Sequence, residues 1–373
     1  MNVLWNIGLI VAGLGGISGF LMLWKIPRAV EGASTLRESP RISIIIPARN
    51  EEGRIVPLLQ SLQAQNFKPY EVIVVDDDSS DRTAVIARSN GATVIPNPKI
   101  DNGWIGKSSA CWEGAKAATG EWLLFLDADT RLVREDSLRR IAATFSLAAG
   151  EFGILSFQPY HTVRQGYEHL SALFNIIVMA GMNVFSVFDD RVRGAGSFGP
   201  CILTRRETYF ETGGHAAVKD AVMDDLALGE RYRQAGYPVR CFGGRGCIDF
   251  RMYPEGLRQL VEGWTKSFGT ASKSTHPLIM AMIVLWIAAG FLTTLLLAGA
   301  LLLAADSFWG SIAVYFAYML QLFWLARRTG NFRFVYFLFY PVLLLFFCVV
   351  HVWSLYLGKV RRSVRWRGRN IKV

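Results

Sequence analysis

Four long stretches of this chain carry no charged residue, and they constrain its fold more than any other feature. The first, 3–24, lies near the N-terminus, and the other three, 278–305, 307–326 and 334–358, follow one another near the C-terminus. A helix needs about 20 apolar residues to cross a bilayer, so each stretch is long enough. The sequence therefore predicts a membrane protein with one large water-facing region between the first stretch and the second.

These stretches divide the chain into four expected regions. They are an N-terminal transmembrane anchor at 1–27, a water-facing domain at 28–276, a C-terminal transmembrane region at 277–358 and a basic tail at 359–373. No Lys or Arg precedes the first stretch and no small-residue cleavage site follows it, so we expect a retained anchor. Lys25, Arg28 and Arg37 follow the anchor, and the positive-inside rule then places the domain in the cytoplasm.

The tail supplies most of the formal net charge of +10. Its cations, with no acid among them, are Lys359, Arg361, Arg362, Arg365, Arg367, Arg369 and Lys372. A basic cluster directly after an apolar segment is typical of contact with anionic lipid, and we expect no binding of nucleic acid. If all three C-terminal stretches crossed, the tail would lie outside, against the charge rule. We therefore expect one of them not to span, and Pro341 is a candidate break in the last one.

Two further features leave alternatives open. The five cysteines form no CxxC pair, and this odd, scattered set favours reduced thiols over disulfides or metal ligands. Apolar residues also recur at helical spacing between Leu170 and Phe185. This segment is either a core helix or an apolar surface that receives a lipid.

The water-facing region begins with alternating strand and helix signals. Strand patterns occur at 42–46, 71–75, 92–95 and 122–126, and helix patterns lie between them at 51–65, 81–90 and 107–118. Such alternation predicts a parallel sheet covered by helices on both faces. Ligands on these sheets bind at the carboxyl ends of the strands, and the acidic residues of this chain are concentrated there.

The strongest chemical signal is the pair Asp127 and Asp129, which follows the strand at 122–126 directly. Two carboxylates one residue apart at a strand end can hold one hard divalent cation, Mg²⁺ or Mn²⁺, against a diphosphate. The alternative is a solvated strand end.

Three other polar stretches lie at neighbouring positions. Asp76, Asp77 and Asp78 follow the strand at 71–75, and helix capping alone accounts only for Ser80 or Asp81. A strand also leads into the turn that contains Pro47, Arg49 and Glu51. Gly106 and Lys107 open a helix, where a cation and unpaired N–H groups suit a phosphate, although the P-loop spacing is absent.

The four stretches, IPARNEE, VDDDSSDRT, GKSSA and LDAD, resemble in order and spacing the family-2 glycosyltransferases with a GT-A fold. The resemblance covers about residues 42–269. It implies an α/β fold, a nucleotide-sugar-binding domain with a doubly wound mixed sheet, together with one N-terminal and two to three C-terminal transmembrane helices.

The resemblance also assigns roles to residues. Pro47, Arg49, Glu51 and Asp77 would bind the nucleoside of the donor. Lys107, because of its place at a helix start, is expected to bind the donor phosphates together with Asp127. Asp127 and Asp129 would bind the metal and the diphosphate. The acidic pair Asp224 and Asp225 would supply the general base, with Asp225 as the preferred residue. The alternative for this pair is the first turn of a helix, where acids favour the helix dipole.

Further stretches resemble one subgroup of that family, the bacterial enzymes that glycosylate 4,4′-diaponeurosporenoate in carotenoid synthesis. They include QPYH at 158–161, FGP at 198–200, TGGH at 212–215, FRMY at 250–253 and EGWTK at 262–266. Asp78 departs from the wider family, which often has Gly there, and EGWTK replaces the QxxRW motif of processive synthases. Trp264 and His215 would contact the acceptor, although His161 and His215 also fit hydrogen-bonded loop histidines.

The sequence thus predicts an inverting, metal-dependent hexosyltransferase in the cell membrane. The donor would be a UDP-hexose, UDP-glucose first, and the acceptor a membrane lipid, foremost a carotenoid carboxylate. Such a carboxylate needs little deprotonation, so that Asp225 would mainly position it. The alternatives are a ceramide, hopanoid or polyprenyl phosphate acceptor, a transport-coupled polysaccharide synthase, and a non-catalytic scaffold.

Overall fold

The chain divides into a sheet unit and a helical unit. The computed structural model describes residues 2–31, 40–98, 103–104, 107–147, 153–271, 274–302, 308–357, 363–366 and 369–372. The sheet unit comprises Pro27–His161, Gly196–Met252 and Arg365–Val373. The helical unit comprises Met1–Ile26, Thr162–Ala195 and Tyr253–Val364.

The sheet unit is built on a mixed sheet of seven strands. The strands of this unit up to residue 250 are β1 (Ile42–Ala48), β2 (Glu71–Asp76), β3 (Thr93–Pro96), β4 (Trp122–Leu126), β5 (Thr130–Leu132), β6 (Ile154–Gln158), β7 (Tyr160–His161), β8 (Cys201–Arg205), β9 (Val239–Gly243) and β10 (Ile248–Phe250). The large sheet has the order β3-β2-β1-β4-β8-β6-β9, and a small sheet has the order β5-β10-β7. The predicted strands β1 to β4 and the mixed α/β sheet are confirmed.

Strand direction places the ends of the first four strands at one edge. Neighbours β3, β2, β1 and β4 are all parallel, whereas β8 runs antiparallel to β4 and to β6. In the parallel register Ala48 pairs with Asp76. The polar residues that follow β1 and β2 are therefore neighbours in space, as expected for the carboxyl edge of a parallel sheet.

Helices cover both faces of the large sheet. The helices of this unit are α2 (Ile55–Gln63), α3 (Thr83–Ser89), α4 (Ser108–Ala117), α5 (Ser137–Leu147), α7 (Arg206–Glu211) and α8 (Asp224–Gln234). Leu58 of α2 and Ile141 of α5 share one hydrophobic core with Ile44 and Ile46 of β1. Ile45 points the other way, because side chains alternate along a strand, and it packs against Gly114 of α4.

The helical unit contains the four apolar segments. Its α-helices are α1 (Asn2–Met22), α6 (Ala172–Gly181), α9 (Leu257–Ala271), α10 (Pro277–Leu302), α11 (Phe308–Thr329) and α12 (Tyr340–Tyr356), and a 3₁₀ helix at Phe334–Phe339 precedes α12. Among the described residues, four helical segments are long and apolar enough to cross a membrane, namely Trp5–Met22, Pro277–Leu302, Phe308–Thr329 and Phe334–Tyr356.

Helices α1 and α10 pack antiparallel along their full length. Gly8 lies against Leu296, Gly15 against Ala289, and Ser18 donates a hydrogen bond to the carbonyl of Met282 at 3.1 Å. Small residues let two backbones approach closely, which is how helices associate in lipid. The anchor is therefore an integral member of the helix bundle.

We expect Gly15→Ala to destabilise the helical unit by about 1–3 kcal/mol, the usual cost of overpacking. A methyl group at Gly15 would overlap the side chain of Ala289, so the helices must separate. Thermal unfolding of the purified protein in detergent measures this effect. Gly13→Ala is the matched control, because nothing lies within 4 Å of a Cβ at that position. Equal stability of the two variants would refute the close packing.

Two structural results refine the sequence interpretation. The segment at Leu170–Phe185 includes α6, and most of its side chains, among them Leu173 and Phe174, are buried, which supports the core-helix alternative. The helical unit also includes Thr162–Ala195 and residues from Tyr253, although the sequence analysis placed both segments in the water-facing domain. They group with the apolar helices because α6 packs against α10, α11 and α12, and α9 packs against α12.

Candidate active site

The ends of β1 and β2 form the first part of the site. Arg49 donates a hydrogen bond from Nη1 to the carbonyl of Asp77 at 2.6 Å, and the same atom lies 3.6 Å from the Asp77 carboxylate. Pro47, at the end of β1, is in register with Val75 of β2. Glu51 is buried and pairs with Arg54 at 3.1 Å. The structure thus brings together the four residues expected to bind a nucleoside.

Asp78 has a backbone conformation that accounts for the glycine often found at this position in the wider family. Its φ is +60°, in the left-handed region that favours glycine. Asn50 in the facing turn has a φ of +52°. The Asn50 side chain accepts a hydrogen bond from the Ser80 amide at 2.8 Å, so the two turns hold each other. Strained residues of this kind are concentrated at functional sites.

A side-chain relay connects this corner to the start of α4. The Asp77 carboxylate accepts a hydrogen bond from the Asn97 amide group at 2.8 Å, and the Asn97 oxygen accepts one from the Ser109 hydroxyl at 2.9 Å. Sequence reasoning did not identify Asn97, which lies just after β3. The sequence feature that could have identified Asn97 is its position after a predicted strand, at the same sheet edge as Asp77.

Lys107 is the central cation of the site. It immediately precedes α4, as predicted, whereas Gly106 lies outside the described residues. Its Nζ atom lies 2.5 Å from Oδ1 of Asp127 and donates to the carbonyl of Gly199 at 3.2 Å. Burial lowers the pKa of Lys107, but attraction to Asp127 and Asp224 outweighs this effect and raises the pKa above its ordinary value. Lys107 therefore stays protonated.

The turn after β4 presents the two carboxylates expected to bind a metal. The carbonyl of Asp127 accepts hydrogen bonds from the amide and the hydroxyl of Thr130, at 3.0 and 2.8 Å, which fixes the turn. Asp127 and Asp129 are both half-buried. Within the described ranges, no cluster of three or more His, Cys, Asp and Glu residues is arranged to hold a metal ion. The donor set fits a hard divalent cation that takes its remaining ligands from a diphosphate and water.

The acidic pair lies in the first turn of α8, so both interpretations of its sequence position are compatible with the structure. The hydroxyl of Ser108 donates to the Asp224 carboxylate at 3.2 Å, which connects α8 to the start of α4. Sequence reasoning missed Ser108, although it follows the selected Lys107 directly. Burial, reinforced by the charge of Asp224, raises the pKa of Asp225 to about 6.

Gly199 makes the close approach of Asp225 possible. A Cβ atom at Gly199 would lie 2.7 Å from Oδ2 of Asp225. The carbonyl of the same glycine accepts the hydrogen bond from Lys107. The FGP stretch at 198–200, noted above only for its resemblance to the subgroup, therefore places the lysine and the acidic pair near each other.

The two residues expected at the acceptor are both buried. His215 is 2% exposed, and its Nδ1 atom lies 2.8 Å from the hydroxyl of Tyr209. Burial and the charge of Lys107 lower the pKa of His215 to about 3, so it is neutral. This environment favours the interpretation as a hydrogen-bonded core histidine.

Trp264 belongs to the helical unit and lies on α9. Its Nε1 atom donates to the hydroxyl of Ser171 at 3.0 Å, and its ring stacks on Phe174 with centroids 4.8 Å apart. His161, the other loop histidine of the sequence analysis, is 1% exposed and stands edge-on to Phe250.

All five cysteines are free thiols, as predicted.

A mixed sheet with an Asp-x-Asp turn after its central strand and an acidic pair at the start of a helix is the arrangement of GT-A glycosyltransferases. The chain belongs to the family 2 glycosyltransferases. The profile of glycosyl transferase family 2 matches residues 43–172, and that of glycosyl transferase family group 2 matches residues 122–351.

Two kinds of comparison identify enzymes that are similar to this chain, one by sequence and one by fold. The chain is 40% identical over 333 residues to the 4,4′-diaponeurosporenoate glycosyltransferase of Staphylococcus aureus strain MRSA252, covering 89% of this chain and 88% of that protein. The protein of strain USA300 is 39% identical over the same coverage. The fold is similar to that of the mannosyltransferase PcManGT from Pyrobaculum calidifontis, solved with GDP-Man and Mn²⁺. The TM-score is 0.56 at 19% identity, over 94% of this chain and 99% of that one.

Proposed function

We propose that this glycosyltransferase transfers one hexose, glucose from UDP-glucose, to the carboxyl group of a carotenoid such as 4,4′-diaponeurosporenoate, with inversion at the anomeric carbon. The observation that carries the proposal is the convergence of Asp127, Lys107 and the Asp224–Asp225 pair in one site. The named relatives at 39–40% identity support the choice of acceptor.

Donor binding would use the two connected parts of the site. Arg49, Asp77 and Glu51, with Pro47 beside them, would hold the nucleoside, because they lie together at the ends of β1 and β2. Lys107 would bind the diphosphate as a fixed positive charge at a helix start. Asp127 and Asp129 would hold Mg²⁺ or Mn²⁺, and the bound cation supplies charge that stabilises the leaving diphosphate.

Asp225 would act on the acceptor. A carboxyl group that arrives from an apolar phase favours its protonated form, because desolvation disfavours the charged form. The Asp225 carboxylate would accept that proton, after which the acceptor oxygen attacks the anomeric carbon. A pKa of about 6 suits this role, since the group is ionised near neutral pH and still basic.

Trp264 and His215 would serve the acceptor in different ways. Trp264 belongs to the helical unit, which a membrane lipid would reach directly, so it is the stronger acceptor candidate. His215 would act through the groups it supports, since its ring is packed between Tyr209 and Phe125.

We place the enzyme in the cell membrane with its sheet unit in the cytoplasm. Lys25 follows α1, and Arg327 and Arg328 lie in the last turn of α11. Arg328 donates hydrogen bonds to the carbonyls of Leu23 and Trp24, at 2.5 and 3.1 Å, so these cations share one end of the bundle. Cations are enriched on the cytoplasmic side of membrane proteins.

The test is product analysis by mass spectrometry. Membranes that contain the protein would be supplied with UDP-glucose, other UDP-hexoses or GDP-mannose, and with the carotenoid acid, its alcohol, a ceramide, a hopanoid or a polyprenyl phosphate. We expect an alkali-labile glucosyl ester from UDP-glucose and the acid. Transfer to another lipid in preference to the acid would refute the acceptor, and preference for another sugar would refute the donor. Membranes without the protein are the control.

A further inference from the structure

The last apolar segment, 334–356, differs from the other three in its internal geometry. It begins as a 3₁₀ helix at Phe334–Phe339 and becomes the α-helix α12 only at Tyr340, with Pro341 in the first turn. The 17 residues of α12 extend for about 25 Å at 1.5 Å per residue. A bilayer core is about 30 Å thick, so α12 alone is short for a crossing.

The other three segments define a depth scale. Helix α1 is antiparallel to α10 and parallel to α11, because Gln321 donates to the carbonyl of Gly16 at 2.5 Å and Arg328 donates to that of Leu23. One end of the bundle, which we call the basic end, is therefore where α1 and α11 finish and α10 begins. It carries Lys25, Arg327 and Arg328.

The segment starts at the basic end. Asn331, just after α11, accepts a hydrogen bond from the Val163 amide at 2.5 Å. Phe334 and Phe337 both contact Phe323, in the last two turns of α11, with ring centroids 5.2 and 5.4 Å apart. The 3₁₀ helix thus enters the bundle beside the end of α11.

The turn between the 3₁₀ helix and α12 lies near the middle of the bundle. The Tyr340 hydroxyl lies 2.6 Å from that of Thr293 and 3.3 Å from the carbonyl of Gly290. Gly290 is roughly 20 Å along α10 from Pro277, about half of its length. The Tyr315 hydroxyl donates to the carbonyl of Leu338 at 2.9 Å. In lipid each backbone group released from a helix needs a hydrogen-bond partner, and the carbonyl of Leu338 has one.

Helix α12 then returns to the basic end. Phe347 contacts Phe174 of α6 at a centroid distance of 5.0 Å, and the Ser354 hydroxyl donates to the carbonyl of Thr265 on α9 at 2.6 Å. Phe174 and Thr265 belong to segments that connect to the bundle at its basic end. Asn183, just after α6, accepts a hydrogen bond from the amide of His276, directly before α10.

From this geometry we infer that residues 334–356 form a re-entrant hairpin, which enters and leaves the bilayer at the basic end and contacts the acyl chains of that leaflet only. The chain would then cross three times, and the tail would emerge on the side of residues 162–195. The exposed apolar side chains Val342, Leu345, Val349 and Val352 form one stripe along α12 that suits acyl chains.

Cysteine labelling tests the topology, which depends on the proposed membrane location but not on the reaction. In a background with Cys348→Ala, an impermeant maleimide would be applied to sealed vesicles of both orientations that contain Ser363→Cys, Arg191→Cys or Asn2→Cys. We expect the maleimide to label Ser363→Cys in vesicles of the orientation in which it labels Arg191→Cys. In vesicles of the other orientation, neither cysteine should be labelled. Labelling together with Asn2→Cys would overturn the hairpin. If Arg191→Cys and Asn2→Cys reacted from the same side, the membrane location itself would fail.

Depth measurement gives an independent readout. A fluorophore on Phe339→Cys, at a position that is 69% exposed, should be quenched more by a nitroxide near the ends of the lipid acyl chains than by one near the headgroup. A fluorophore on Tyr356→Cys should show the reverse order. Stronger quenching of Phe339→Cys by the shallow nitroxide would place this residue at the surface and overturn the hairpin.

Discussion

Asp129→Asn is expected to abolish sugar transfer while leaving the fold intact. Asp129 lies in the turn after β4, two positions after Asp127. Lys107 already neutralises part of the charge of the Asp127 carboxylate. In the proposed metal site, which Asp127 and Asp129 would form, removal of one negative ligand would weaken the binding of the divalent cation, and the leaving diphosphate would lose its counter-charge. Initial rates with radiolabelled UDP-glucose measure the effect. Thermal unfolding without nucleotide should be unchanged.

The matched control is Asp136→Asn, which makes the same change at an ion pair with Arg134 outside the site. It should retain full activity. Binding provides a second readout: in the wild type Mn²⁺ should tighten UDP binding, and in Asp129→Asn that effect should be lost. Full activity of Asp129→Asn, or of the wild type in excess EDTA, would refute the metal site.

Asp225→Asn should reduce turnover by about 10²–10⁴-fold, the usual contribution of a general base. The amide keeps the shape of the side chain and its place against Gly199, but it cannot accept a proton from the acceptor. UDP affinity should be unchanged, because the proposed donor contacts are made by other residues. Asp220→Asn, an exposed carboxylate in the preceding loop, is the control. If UDP affinity falls as much as turnover, Asp225 binds the donor instead.

The pH profile should show the raised pKa of Asp225. A base acts in its ionised form, so activity should fall as the pH drops through about 6, by roughly tenfold per unit below that value. Asp225→Asn should remove this acid limb. A wild-type profile that is flat down to pH 5 would mean that Asp225 positions an acceptor that is already ionised.

Sequence reasoning selected the residues proposed to bind the donor because their signals are local. Each of Asp77, Lys107 and Asp127 directly follows a strand or precedes a helix, and parallel strands bring such ends to one edge by geometry alone. The strands β1 to β4 were predicted nearly to the residue for the same reason. Asp78 was noticed only as a departure from a pattern, and its φ of +60° explains why glycine is common at this position in the wider family.

The missed features depend on contacts between distant parts of the chain. The hydrogen bonds of Asn97 and Ser108 to site carboxylates can be recognised only when β3, α4 and α8 are placed together. Gly199 matters because Asp225 approaches it from 26 positions later in the chain. The position of Tyr340 beside the middle of α10 is known only from its side-chain hydrogen bonds to that helix. A hydropathy pattern carries no information about such contacts.

The interleaved path of the chain has a practical consequence for any attempt to prepare a soluble catalytic fragment. The chain passes between the two units five times, so no single cut separates them. A fragment of residues 28–276 would retain α6 and α9 but would lack α11 and α12, against which α6 packs. Phe174, which is buried in the intact protein and stacks on the buried Trp264, would then lose its partner Phe347. Such a fragment should aggregate, whereas the full chain extracted in detergent should retain its fold.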